Sequence, residues 1–118
     1  EISECLVGSE MCIRDSYTVE DDAVIVQDFI SNYKATYDAE PNAFAALGYD
    51  AAKILIEAIK TCESTEADAI TAAMQNTSLD CVTGHITFDE NRNPVKSVSV
   101  IEIKEGQNTL YKKLDAVK

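Results

Sequence analysis

Basic residues are scarce in this chain: ten lysines and arginines stand against 21 aspartates and glutamates, for a net charge of −11 over 118 residues. A surface that neutralises phosphates needs clustered Lys and Arg, so nucleic acid is excluded as a partner. The same balance argues against adsorption to anionic lipid. No apolar run approaches the length of a membrane span, so stable membrane insertion is not expected. There is one histidine, His85, and none of the four cysteines forms a Cys-x-x-Cys pair. That leaves no ligand set for zinc, and no cofactor is expected. What remains is an acidic, freely diffusing protein whose length suits one domain with a modest core.

The chain falls into an irregular leader, three helical segments and a run of strands. Residues 1–16, EISECLVGSEMCIRDS, show neither helical nor strand periodicity, and lack the basic start and apolar centre of a signal peptide. Four acids and one arginine there account for −3 of the −11, leaving −8 for residues 17–118. Glu20, Asp21 and Asp22 then place negative charge where a helix N-terminus favours it. Val26, Phe29, Ile30, Tyr33 and Tyr37 follow at helical spacing, and Pro41 ends that helix. Asn42 caps a second helix, with Leu47, Ala51, Ile54, Leu55, Ala58 and Ile59 as its expected buried face. Gly48 within it implies either a crowding neighbour or a later helix start, since glycine costs about 1 kcal/mol against alanine there. Ser64 or Thr65 caps a short third helix, with Glu66 and Asp68 in its first turn.

Beyond it the period switches to two. Ile86 and Phe88 alternate with Thr87, and Asp89 to Pro94 (DENRNP) is dense in turn formers, so this stretch predicts a hairpin. From Val98 the alternation slips at Ile101, which reads as a bulge or as burial on both faces. Gly106-Gln107-Asn108 predicts a second turn. Asp89, Asn91 and Asn93 copy the opening of a calcium loop, but Pro94 and Val100 stand where it needs glycine and a bidentate glutamate. His85 has no evident neighbour for a metal site or a nucleophile pair and reads as an ordinary strand residue.

Two stretches, AFAALGYDAAKILIEAI (residues 43–59) and VTGHITFDENRNPVKSV (residues 82–98), carry a family resemblance, together with YKATYDAEPN ahead of them. In this order they resemble the C-terminal quarter of periplasmic substrate-binding proteins of branched-chain amino-acid ABC transporters, from about Tyr17 to about Leu114. The resemblance implies an α/β fragment, helices followed by a β-hairpin and meander, belonging to the two-lobed type I periplasmic binding protein fold. It implies a carrier and not an enzyme: a small amino acid bound between the lobes and delivered to an ABC transporter permease. It also implies a periplasmic protein or an extracellular lipoprotein. The alternative of the same fold is a ligand-sensing receptor or regulator domain. Residues 1–16, with CLVGSEMCIRDS at their heart, resemble the translation of a transposon-based sequencing adapter. Residues 1–16 are therefore expected to be an unstructured leader in which Cys5 and Cys12 have no role, and residues 17–118 the C-terminal part of the ligand-binding domain.

Four residues in that part are candidates. Phe44 precedes the helical stripe and matches the aromatic that touches the ligand side chain in leucine-type relatives; a packing role is the alternative. Asp50 suits a ligand ammonium chemically, against a plain helix residue hydrogen-bonded nearby. Cys62 and Cys81 bracket the third helix, and an exported protein permits their oxidation, so a disulfide is expected; two buried thiols are the alternative.

Overall fold

The structure, a computed structural model, describes residues 11–15, 17–104 and 106–114. A strand, β1 (Met11–Asp15), leads into three helices, α1 (Val24–Tyr37), α2 (Ala43–Cys62) and α3 (Ala67–Gln75). Five strands follow: β2 (Ser78–Cys81), β3 (Gly84–Phe88), β4 (Pro94–Val95), β5 (Val98–Lys104) and β6 (Gln107–Leu114). They form two three-stranded antiparallel sheets, ordered β1-β5-β6 and β2-β3-β4.

Part of the leader departs from expectation. Met11–Asp15 pair with β5 in register, Met11 opposite Ile103 and Asp15 opposite Ser99. The cause is in β5, whose second edge needs hydrogen-bond partners that any extended pentapeptide supplies through its backbone, whatever its side chains. The other residues of the leader, 1–10 and 16, lie outside the described residues.

The helices stop where local chemistry stops them. Asp38 takes the left-handed conformation after α1, φ 52°, and its N–H returns to the Lys34 carbonyl. Asn42 caps α2, its Oδ1 accepting from the Ala45 N–H at 2.9 Å. The third helix begins later than its polar entry suggests, at Ala67, while Ser64 Oγ accepts from the Glu66 N–H just before it. Val26, Phe29 and Ile30 of α1 pack with Tyr17, Ala46 and Val82 into one core cluster. A second cluster joins Ile54 to Cys81 and Ile86, with Met74 and Leu79 at its margin.

The parity slip in the strands has two causes acting together. A register shift falls between Val100 and Ile101, where Tyr111 of β6 is the residue left without a counterpart. In addition β5 is the central strand of its sheet, and Ser99, Val100, Ile101 and Glu102 are buried in succession, so both of its faces are covered.

The buried stripe of α2 is narrower than its apolarity suggests. Ala46, Asp50, Ile54 and Ala58 are buried, one residue per turn, whereas Leu47, Ala51, Leu55 and Ile59 are exposed. A helix that is apolar nearly all round is designed to be covered on more than one side; in this chain only one side is. Gly48 lies on the uncovered side, and a Cβ added there meets nothing within 4 Å. Gly48→Ala is therefore expected to stabilise α2 in this chain by about 1 kcal/mol, the difference in helix propensity. Helical circular dichroism and Tm both report it. A fall in Tm would mean that something already crowds this position.

Candidate functional site

Three segments meet at an open cleft of about 360 Å³. Tyr17 to Val19, which follow β1, form one wall; Pro41 to Phe44, at the start of α2, form another; Ile101 of β5 closes the third side. The Asn42 cap fixes how α2 enters the cleft. It starts the helix at Ala43, so Phe44 falls in the first turn, ahead of the stripe that begins at Ala46. Phe44 is accordingly 82% exposed and projects at the rim of the cleft, not among Ile54, Leu55 and Ile59. The first N–H groups of a helix have no partner within it and carry the positive end of its dipole. Here those belong to Ala43 and Phe44, so the cleft pairs an apolar aromatic with a site suited to an anion.

No charged side chain lines this cleft among the described residues. Its buried polar group is the Tyr17 hydroxyl, which has no hydrogen-bond partner among the described residues, while its ring meets Phe29 edge-on at 6.2 Å. Burial, with the charge of Glu40 adding, raises the Tyr17 pKa, so the phenol stays protonated at neutral pH.

Asp50 is elsewhere. It lies six residues along α2 from Phe44, about 9 Å along the axis and on another face. Its side chain is buried, 2% exposed, and both carboxylate oxygens are taken: Val82 N–H donates to Oδ1 and Thr83 N–H to Oδ2, each at 2.8 Å. Of its two readings this geometry matches the hydrogen-bonded one, with the partners distant in sequence, and it clamps the β2–β3 turn onto α2.

Cys62 and Cys81 are free thiols, not a disulfide. Cys81 packs on Ile54, and Cys62 lies eight residues further along α2, about 12 Å away along the axis. Burial first, and the Asp50 carboxylate second, push the Cys81 thiol up to about 11, so it remains an inert S–H. The Asp89 carboxylate is likewise occupied. It accepts from the N–H groups of Asn91 and Asn93 and from Asn93 Nδ2, which hold it below the usual carboxylate range. No group of three or more potential metal ligands occurs among the described residues.

His85 has neighbours that its sequence context did not reveal. Its Nδ1 lies 2.6 Å from Asp80 Oδ1, and its Nε2 lies 3.0 Å from Ser78 Oγ. Ser78–Cys81 is a strand with little sequence signal of its own, and only its pairing with β3 sets Asp80 opposite His85.

The chain belongs to the periplasmic binding protein family, whose sequence profile matches residues 11–108. Within that family it is similar to a leucine-binding protein from Thermotoga maritima, at 29% identity and a TM-score of 0.78, over 89% of this chain and 31% of that one. An ABC-transporter solute-binding protein from R. palustris in complex with benzoate is 26% identical, TM-score 0.80, over 93% of this chain and 31% of that one. A second R. palustris solute-binding protein, in complex with 3,4-dihydroxybenzoic acid, is 25% identical, TM-score 0.81, over 97% and 34%. No curated protein matches the chain significantly. The chain spans about a third of the length of these solved relatives. Its mixed helices and small antiparallel sheets are a part of the type I periplasmic binding protein fold. No helix among the described residues is long and apolar enough to cross a membrane.

Proposed function

We propose that residues 17–118 are the C-terminal part of the substrate-binding component of an ABC transporter, which binds a small amino acid of the branched-chain type and delivers it to a permease. The observation that carries this reading is Phe44, exposed beside the N-terminus of α2 at the mouth of a cleft. An apolar ring next to unpaired helix N–H groups suits a ligand with a hydrocarbon body and a carboxylate. Leucine has that chemistry, and so does benzoate; the leucine-binding relative has the highest identity of the three compared above. The protein works by closing two lobes on the ligand, without catalysis or cofactor, in the periplasm or as an extracellular lipoprotein.

Calorimetry on the full-length protein tests the reading. Micromolar binding of leucine, isoleucine or valine is expected. Binding of benzoate alone would keep the carrier and replace the ligand class. Genes for a permease and an ATPase beside the full-length gene are expected for a carrier, and a fused signalling domain would favour the sensor.

The 118-residue chain alone is expected to give no heat with any of the three amino acids. One wall of a cleft cannot desolvate a zwitterion and satisfy both of its charged ends. A micromolar signal from this chain would overturn that argument.

A further inference from the structure

The β2–β3 hairpin carries a constellation that ligand carriage does not use. Side chains alternate across a strand, so Leu79, Cys81 and Ile86 turn to the core while Ser78, Asp80 and His85 share the outer face. Asp80 lies directly opposite His85 in the ladder, with Ser78 on the adjacent diagonal. The spacing is that of a nucleophile, a base and the group that orients it: Ser78 Oγ to His85 Nε2 is 3.0 Å, and His85 Nδ1 to Asp80 Oδ1 is 2.6 Å. An open groove of about 470 Å³ runs past Ser78, where Ala69, Ala73 and Leu79 stand among the polar Glu57, Thr61 and Asn76. Ser78 also lies on the edge strand of its sheet, where the backbone N–H groups turned away from β3 have no strand partner among the described residues.

We propose that Ser78 is an activated nucleophile, with His85 as its base and Asp80 as the positioning residue, and that it reacts with small activated esters carrying a short apolar acyl group. Ser78 Oγ bonds to the acyl carbon and gives its proton to His85 Nε2. The ester C–O bond breaks and the alcohol or phenol leaves with the bonding pair. The imidazolium then releases its proton to that leaving group or to solvent. Water, deprotonated by His85, attacks the acyl-serine, the Oγ–acyl bond breaks with Oγ taking back a proton, and the carboxylic acid departs. All three side chains are open to water, so the advantage over an ordinary serine rests on base catalysis, which contributes on the order of a hundredfold or more in well-formed sites.

The test uses the 118-residue chain with p-nitrophenyl acetate, reading acetylation site by site by peptide mass spectrometry. Ser31, exposed on α1 and away from any histidine, is the internal control in the same molecule. Ser78 is expected to acetylate at least about tenfold faster than Ser31, and His85→Gln to remove that advantage. Asp80→Glu is expected to keep part of the rate where Asp80→Ala loses it, a rescue that loss of hairpin packing alone would not give. Equal rates at Ser78 and Ser31, no acetylation at either, or a rate at Ser78 unchanged in His85→Gln each overturn the proposal.

Discussion

Asp50→Ala is expected to lower the stability of the folded chain by about 3–5 kcal/mol, because it strips two buried backbone N–H groups of their acceptor at once. Val82 and Thr83 form the two-residue connection between β2 and β3, and both are buried. A turn buried in this way cannot turn its N–H groups to water, so a side chain must receive them. Asp50 supplies one oxygen to each, at 2.8 Å. Hydrogen bonds to a charged acceptor contribute about 1.5–3 kcal/mol apiece, so the loss of two accounts for an effect of this size. Asp50→Asn recovers only part of the loss. An amide keeps one acceptor oxygen but turns an N–H₂ donor against the second N–H. Thermal unfolding together with hydrogen exchange at the Val82 and Thr83 amides reads the effect. If those amides exchange as slowly in Asp50→Ala as in the native sequence, the clamp is not what holds the turn.

The clamp also explains why the hairpin sits where it does. Val82 joins the cluster of Phe29, Ile30 and Ala46, while Cys81 and Ile86 join the cluster around Ile54. The turn thus lies between two apolar patches on α2, with Asp50 between them. Lys53 adds a third tie one turn further on, its Nζ donating to the Asp80 carbonyl at 2.8 Å. Gly84 completes the connection: its φ of 107° is one that side chains rarely adopt, and a Cβ there would come within 2.7 Å of Ser97 Oγ.

Local chemistry was the legible part of this sequence. The Asn42 cap, the end of the first helix before Pro41, the turn from Asp89 to Pro94 and the break near Ile101 each depend on residues within a few positions of one another, and each is present in the structure. What escaped depends on partners distant in sequence. The sequence leaves Asp50 open between a ligand group and a hydrogen-bonded helix residue, because the N–H groups that its oxygens accept from belong to residues more than thirty positions away. The disulfide expectation rests on the bracketing of the third helix and on an oxidising compartment, and the position of Cys81 over Ile54 is a tertiary fact that neither contains. β1 has no side-chain pattern to announce it, since the ladder to β5 is made by backbone groups common to every residue. The apolar face of α2 is the informative mismatch. Sequence apolarity marked Leu47, Leu55 and Ile59 for burial, and in this chain they face outward. A third-length segment of a larger fold is expected to show such a surplus, because covering elements belong to the rest of the relative's length.

In the full-length protein, Phe44→Ala is expected to weaken ligand binding by about 1.5–3 kcal/mol, the transfer value of a fully buried aromatic side chain. That corresponds to roughly ten- to more than a hundredfold in Kd. The size of the effect follows from where Asn42 starts the helix. As the second residue of α2, Phe44 has its direction set by the capped backbone, and its two-residue spacing from Ala46 puts it about 200° around the axis from the stripe of Ala46 and Asp50. Placed in the first turn, it is held by the capped backbone yet shares no surface with the core, so nearly all of its apolar area is left for a ligand to cover. For the same reason stability should change little, because Tyr17, Phe29, Ile30 and Ala46 keep their contacts without it. The two readouts separate the alternatives. A ligand-binding Phe44 gives a large loss of affinity at constant Tm, measured by calorimetry and by thermal unfolding of the same preparation. A Phe44 that packs against the rest of the full-length protein gives the reverse, a lowered Tm with unchanged binding. Phe44→Leu provides the finer measure. It keeps apolar bulk but loses the ring, so affinity should fall by less than in Phe44→Ala, and a loss as large as that of alanine would point to a ring-specific contact with the ligand.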